Sequence, residues 1–284
     1  MNADDALEKA RGTVAVVGEL IKAAGDNPNV RAAGDSLGRS ALVLAKTINN
    51  ALLPLAAVNF AFDKARAYFD GKFQEDIAEK TSAIPPENIV DPKASIAGPS
   101  LQGLAFAHEE PNLKNMYLSL LATAMDGRVS AGAHPAFVEI IKQLDAEEAG
   151  IIKEIILSPT ALPIIQVHTV DLVKPEFQIA ATHVMNYRND GDPITPVENS
   201  RVPAMVDNWV RLGLVQVSYE RALAGPEHYT WVEARPEVIA IRLRYAPETR
   251  RVEIRKGVLT CTNLGMQFGA AVGLIGPMVP TRKE

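Results

Sequence analysis

The chain has 284 residues, 47% hydrophobic, 22% charged and 6% aromatic, with a formal net charge of -5. This is ordinary globular composition, with apolar side chains enough for one large or two small cores, and it excludes a disordered, collagen-like or disulfide-stapled chain. Cys261 is the single cysteine, and no charged segment leading into an apolar one opens the chain, so the expected location is the cytoplasm. Net charge runs -1 over residues 1–80, -3 over 81–145, -5 over 146–200 and +4 over 201–284, so an acidic body ends in a basic block.

In chain order, the first half reads as helix. A first helix is expected over residues 3–24, ended by Gly25, Asp26, Asn27 and Pro28, and a longer helical region from residue 35 or 36 to about 81. Its most apolar stretch, 41–62, is interrupted by Lys46, Asn49, Asn50 and Asn59 and fails as a membrane span. Leu44, Ile48, Leu52, Leu55, Phe62 and Phe69 keep helical spacing, the mark of one buried stripe, and Pro54 is placed to kink it. Residues 84–99, with Pro85, Pro86, Pro92 and Pro99, are expected as an extended connector. Leu113, Met116, Tyr117, Leu120, Leu121 and Ala124 then form one helical stripe, and Phe137, Ile140, Ile141 and Leu144 a second. These two helices are expected to pack together, burying Met116, Leu120, Phe137, Ile140 and Leu144. Asp145 and Glu148 read as an Asp variant of the capping box, opening a helix with Ile151, Ile152, Ile155 and Ile156 on one face.

Beyond residue 160 the period shortens. Residues 164–170 and 177–184 read as strands, the second with a helical alternative. A helix is expected over 203–212, with Gly213 as its left-handed cap and a strand over 214–218. Residues 229–232 read as a strand, and 238–245 and 251–259 as the two arms of a hairpin turning through Ala246, Pro247, Glu248 and Thr249. A short helix over 263–271 closes the pattern, ahead of an apolar tail to residue 279. The expected fold is mainly α within an α+β class: a helical domain over 1–157, then a winged-helix-like α+β module with a β-hairpin over 158–284.

Asn115-Met-Tyr-Leu-Ser-Leu-Leu-Ala-Thr-Ala-Met-Asp126 and His134-Pro-Ala-Phe-Val-Glu-Ile-Ile-Lys-Gln-Leu144, followed downstream by Asp207-Asn-Trp-Val-Arg-Leu-Gly-Leu-Val215 and Gly257-Val-Leu-Thr-Cys-Thr-Asn-Leu-Gly-Met-Gln-Phe268, form a set of blocks. In residues and spacing this set resembles the signature of the bacterial abortive infection alpha family. The positions that carry it are Asn115, Tyr117, His134, Pro135, Phe137, Asn208, Gly213, Thr260, Gly265 and Phe268. The resemblance implies a phage-defence role by growth arrest or cell death, and it brings no established catalytic residues.

No phosphate loop, dinucleotide fingerprint, paired-cysteine metal pattern, zincin motif or nucleophile elbow occurs in the sequence. His108, Glu109 and Glu110 are adjacent, but neighbours on a helix point apart, so a metal there would need a further ligand from elsewhere; a solvated helix end is the plainer reading. His134 precedes Pro135 and is expected extended, as a cap. Cys261 reads as a small buried hydrophobe. No metal and no cofactor is called for. Arg242, Arg244, Arg250, Arg251, Arg255 and Lys256 are opposed only by Glu248 and Glu253, and a hairpin would gather several of them for an acidic partner or a phosphate backbone. The leading expectation is a phage-defence protein acting by protein interaction or self-association, without catalysis. The alternatives are a winged-helix DNA-binding regulator and a metal-dependent hydrolase near His108 or His134. Peripheral membrane contact is left open.

Overall fold

The computed structural model describes residues 59–276 apart from 175, 190–191 and 246–247. The expected helix over 3–24, the stripe from Leu44 to Leu55 with its Pro54 kink, and the tail beyond residue 276 lie outside the described residues. The described chain is a mixture of helices and antiparallel strands, an α+β fold, and it divides into two compact units, one of residues up to 150 together with those from 267, the other of 151–266.

The first unit is helical. Helices α1 (Asn59–Asp70) and α2 (Phe73–Thr81) are separated at Gly71, so the long expected helix is interrupted there. Tyr68, Phe69 and Phe73 meet edge to face across the break. Helix α3 (Ala94–Ala107) contains Pro99, and the extended connector expected over 84–99 stops before it. Burial of Ile96, Leu101 and Leu104 outweighs the single backbone donor that Pro99 lacks. Helix α4 (Pro111–Met125) packs on α3 where Gly103 leaves room for Tyr117; a Cβ at Gly103 would stand 2.4 Å from the phenol ring. Helix α5 (Pro135–Ile141) follows, and Met116, Leu120, Phe137, Ile140 and Leu144 are all buried, as their spacing requires. Helix α6 (Ala146–Leu157) opens on the expected capping box: Glu148 N–H donates to Asp145 Oδ1 at 2.8 Å and Asp145 N–H to Glu148 Oε2 at 3.0 Å.

The second unit holds a four-stranded antiparallel sheet built from β1 (Leu162–Asp171), β2 (Phe177–Met185), β5 (Val215–Ser218) and β6 (Arg250–Cys261), in the order β2-β1-β6-β5. The small pair β3 (Arg188–Asn189) and β4 (Asp192–Pro196) lies between β2 and helix α7 (Val202–Arg211). On the inner face of the sheet Ile165, Val167, Val252 and Ile254 pack against Tyr229, Val232, Val238 and Ile241. The outer face carries Gln166 and His168, with Arg255 and Glu253 beside them on β6 and Ile179 beside His168 on β2. Helix α7 buries Val202, Met205, Val206 and Trp209 and ends at Gly213, whose φ is +73°; Leu214 N–H bonds Trp209 O and Gly213 N–H bonds Val210 O, the double closure of a Schellman motif. Helix α9 (Asn263–Ala271) closes the fold.

Two expected strands are helices. Residues 229–232 belong to the 3-10 stretch Pro226–Ala234, and 238–244 to helix α8 (Pro236–Arg244). Pro236 occupies the first helical position with Glu237 behind it, and Arg242 and Arg244 sit in the last turn, a dipole-compatible arrangement that outweighs the strand preference of Val238, Ile239 and Ile241. The strand over 250–261 therefore pairs with β1 and β5, and the expected hairpin of 238–245 with 251–259 is not formed.

Candidate functional site

The outer face of the sheet carries a chain of polar side chains drawn from four segments. His168 Nε2 lies 3.1 Å from Gln166 Oε1, and Gln166 Nε2 donates to Thr182 Oγ1 at 3.3 Å. Thr182 lies beside the Tyr219 hydroxyl, which is 2.8 Å from His183 Nδ1, and His183 Nε2 is 3.1 Å from Asp207 Oδ1. In the neutral imidazole, Nε2–H donates to the Asp207 carboxylate and Nδ1 accepts from the phenol. The donor order on this arm then runs from Tyr219 through His183 to the exposed Asp207.

Local backbone sets this geometry. His183 has φ +54°, the one left-handed non-glycine residue among those described, and it stands close to an irregularity in the pairing of β1 with β2. Its own N–H donates to the Tyr219 hydroxyl at 3.2 Å. Gly257 lets the Tyr219 ring lie against β6; a Cβ there would be 2.5 Å from the ring. Burial pushes the Tyr219 phenol above its ordinary pKa, opposed by the bonds from Thr182 and the His183 N–H. At neutral pH it is therefore a neutral proton donor.

Beside this chain a groove of about 320 Å³ is lined by Ala180, Ala181, Thr182, His183, Val184 and Met185. Successive strand residues alternate between faces, so six in a row place the groove along the edge of β2. Its far wall includes Glu198, Val202, Ile241 and Arg244. Arg235, also in the wall and only 1% exposed, is held by both oxygens of Glu237 and by the carbonyls of Tyr187 and Val197.

The basic residues expected in one patch occupy three places. Arg242 and Arg244 are on α8, where Arg242 pairs with Glu233. Arg250 and Lys256 share the inner sheet face, Arg250 bonding Gln178 and Thr169 and Lys256 lying 4.9 Å over the Tyr229 ring. Arg251 and Arg255 are on the outer face, bonded to Glu253 and the Tyr219 carbonyl. His108 is stacked on Tyr68 and bonds the Ala105 carbonyl, while Glu109 pairs with Lys64 at 2.7 Å, which holds its carboxyl below the usual range. No three His, Cys, Asp or Glu side chains are placed to hold a metal among the described residues. His134 Nδ1 caps α5 by accepting the Ala136 N–H at 3.1 Å. Burial pushes the Cys261 thiol up.

The signature positions mostly serve the fold. Tyr117 fills the space above Gly103, Phe137 meets Phe268 at 5.7 Å, and a Cβ at Gly265 would stand 2.2 Å from the Leu214 carbonyl. Asn208 accepts from Arg211, Gly213 caps α7 and Thr260 pairs with Gln216. Asn115 and Pro135 are exposed.

A helical unit and a four-stranded sheet unit with such a groove define a mixed α+β protein. The family model described as abortive infection alpha matches residues 65–272, so the chain belongs to the abortive infection alpha family. No curated protein and no solved structure matches it. No helix among the described residues is long and apolar enough to cross a membrane.

Proposed function

We propose that this protein serves in abortive infection against phage by binding a protein, either another copy of itself or a partner, with no catalytic step of its own. The family supports the abortive-infection role. The observation that carries the interaction reading is the apolar row at the end of the β1–β2 hairpin: Leu172, Val173, Phe177 and Ile179 are 50%, 86%, 62% and 53% exposed. Clustered exposed apolar side chains favour a partner surface over open water. Across β1 the same sheet face carries Arg251, Glu253 and Arg255, which supply a polar rim. The nucleic-acid reading has less behind it, because α7, the helix that would enter a groove, exposes Asp207.

Phage challenge of expressing cells, with host survival recorded, tests the role. Reversal of Arg244, Arg251 and Arg255 to Glu is expected to abolish protection with the fold intact, since exposed substitutions usually move stability by only about 0.5 kcal/mol. Full protection by that folded variant, with loss of protection by His108→Ala or His134→Gln, would contradict the proposal.

A further inference from the structure

We infer that the groove beside β2 takes an extended peptide segment of a partner protein, one that carries a cationic group and a carboxylate about four residues apart. The inference rests on the protein-binding reading above and names the partner's chemistry.

The charges of the groove select that ligand. Its charged lining residues are Glu198, Arg235, Glu237 and Arg244, and its one histidine, His183, is held by Tyr219 and Asp207. Arg235 and Glu237 neutralise each other in a bidentate pair, and the other bonds of Arg235 go to the carbonyls of Tyr187 and Val197 at 2.7 and 3.0 Å. Glu198 and Arg244 are left. Both are exposed, and among the described residues neither pairs with the other or with a third side chain.

The two stand at opposite ends of the groove. Arg235, at the head of α8, holds Tyr187 and Val197, which brings the end of β2 and Glu198 to that end of the helix. Arg244 is in the last turn of α8, and between the ends Ala181 and Val184 pack in one cluster with Ile241, so the helix lies along the strand. The nine residues of α8 separate the two charges by about 13 Å. About five residues of extended chain, at roughly 3.3 Å per step, cover the same distance. A ligand with opposite charges at that spacing meets both groups at once.

The middle of the groove suits a peptide backbone. Ala180 and Ala181 line it from the strand and Ala240 from the helix, side chains that end at Cβ and leave the cleft open, while buried Val184, Val202 and Ile241 supply apolar contact. Strand β2 is at the sheet edge, bonded to β1 alone, and contains no Asp, Glu, Lys or Arg, so its outer side offers main-chain groups to an added strand. A small zwitterion would meet the two charges and leave that edge unbonded; an extended peptide meets both.

Nuclear magnetic resonance titration of the isotope-labelled full chain with acetyl-Lys-Ala-Val-Ala-Glu-amide tests this. Saturable shifts are expected at the amides of residues 180–185 and 240–244, with a dissociation constant below about 1 mM. Arg244→Glu and Glu198→Lys should each weaken binding at least about tenfold with an unchanged circular dichroism spectrum and melting temperature, since both side chains are exposed. Acetyl-Lys-Ala-Val-Ala-Lys-amide should bind Arg244→Glu better than wild type. The compound 8-aminooctanoate, with both charges and no peptide groups, should bind at least about tenfold more weakly than the first peptide. An absence of shifts at about 5 mM peptide, or binding that both charge variants leave unchanged, overturns the inference and leaves protein binding through the exposed apolar row standing. Equal affinity for 8-aminooctanoate overturns the peptide assignment in favour of a small zwitterion. Peptide binding by wild type, with full phage protection by folded Arg244→Glu, supports the ligand assignment and overturns its part in protection.

Discussion

Asp126, buried where α4 ends, accepts from the Arg128 N–H and Nε on Oδ1 and from its guanidinium NH2 on Oδ2, at 3.0, 2.8 and 2.6 Å. The Arg128 side chain holds this carboxyl below its ordinary pKa, against the opposing effect of burial. Asp126→Asn should cost about 1–3 kcal/mol at neutral pH. Because the folded pKa is depressed, the stabilisation is complete above the unfolded value of about 3.9 and is lost as pH falls through the folded value. The difference in melting temperature between Asp126→Asn and wild type should accordingly persist at pH 7 and close in acid. At Tyr219, replacement by Phe removes the acceptor of the His183 N–H and the donor to its Nδ1. Denaturant melts should register a loss of about 1–3 kcal/mol.

At the scale of elements, close approach decides the α3–α4 pairing. Gly103→Ala would push a methyl into the buried Tyr117 ring and should cost about 1–3 kcal/mol by thermal melt. Sequence reading was most successful where one strong local signal acted alone. The Asp145–Glu148 box, the stripes of α4 and α5, the Gly213 cap, strands β1, β2 and β6 and helix α9 all stand where spacing puts them. It failed where two signals competed. Pro99 falls in the expected extended connector, but the apolar burial around it is stronger; Val238, Ile239 and Ile241 favour strand, but Pro236 starts a helix whose Val238 and Ile241 fall on one buried side. The polar chain was not legible at all. Its members come from residues 166–168, 182–183, 207 and 219, and no spacing links them before the sheet forms. The one local hint, Thr182-His183 within an apolar strand, is indistinguishable from an ordinary solvent-facing pair. The basic residues misled in the opposite way: their proximity in sequence suggested one patch, and alternation along β6 divides them between two faces.

For the whole molecule, surfaces carry the proposed role. The outer sheet face presents an apolar row next to Arg251, Glu253 and Arg255, with the groove along the adjoining edge. The polar chain behind it holds β2 to α7 through His183 and Asp207 and so fixes the shape of that edge. A protein that arrests infected cells by binding must lose activity when this surface is altered and keep it when proton-carrying side chains are replaced without unfolding. The direct measurement is an infection time course following phage yield and host survival in cells expressing, at matched levels, wild type, Val173→Asp with Ile179→Lys, or Tyr219→Phe. The expected result is loss of protection with Val173→Asp and Ile179→Lys, and protection retained by folded Tyr219→Phe. Full protection by the surface variant together with none from a folded Tyr219→Phe protein would contradict the interaction account and point to chemistry at His183 and Tyr219.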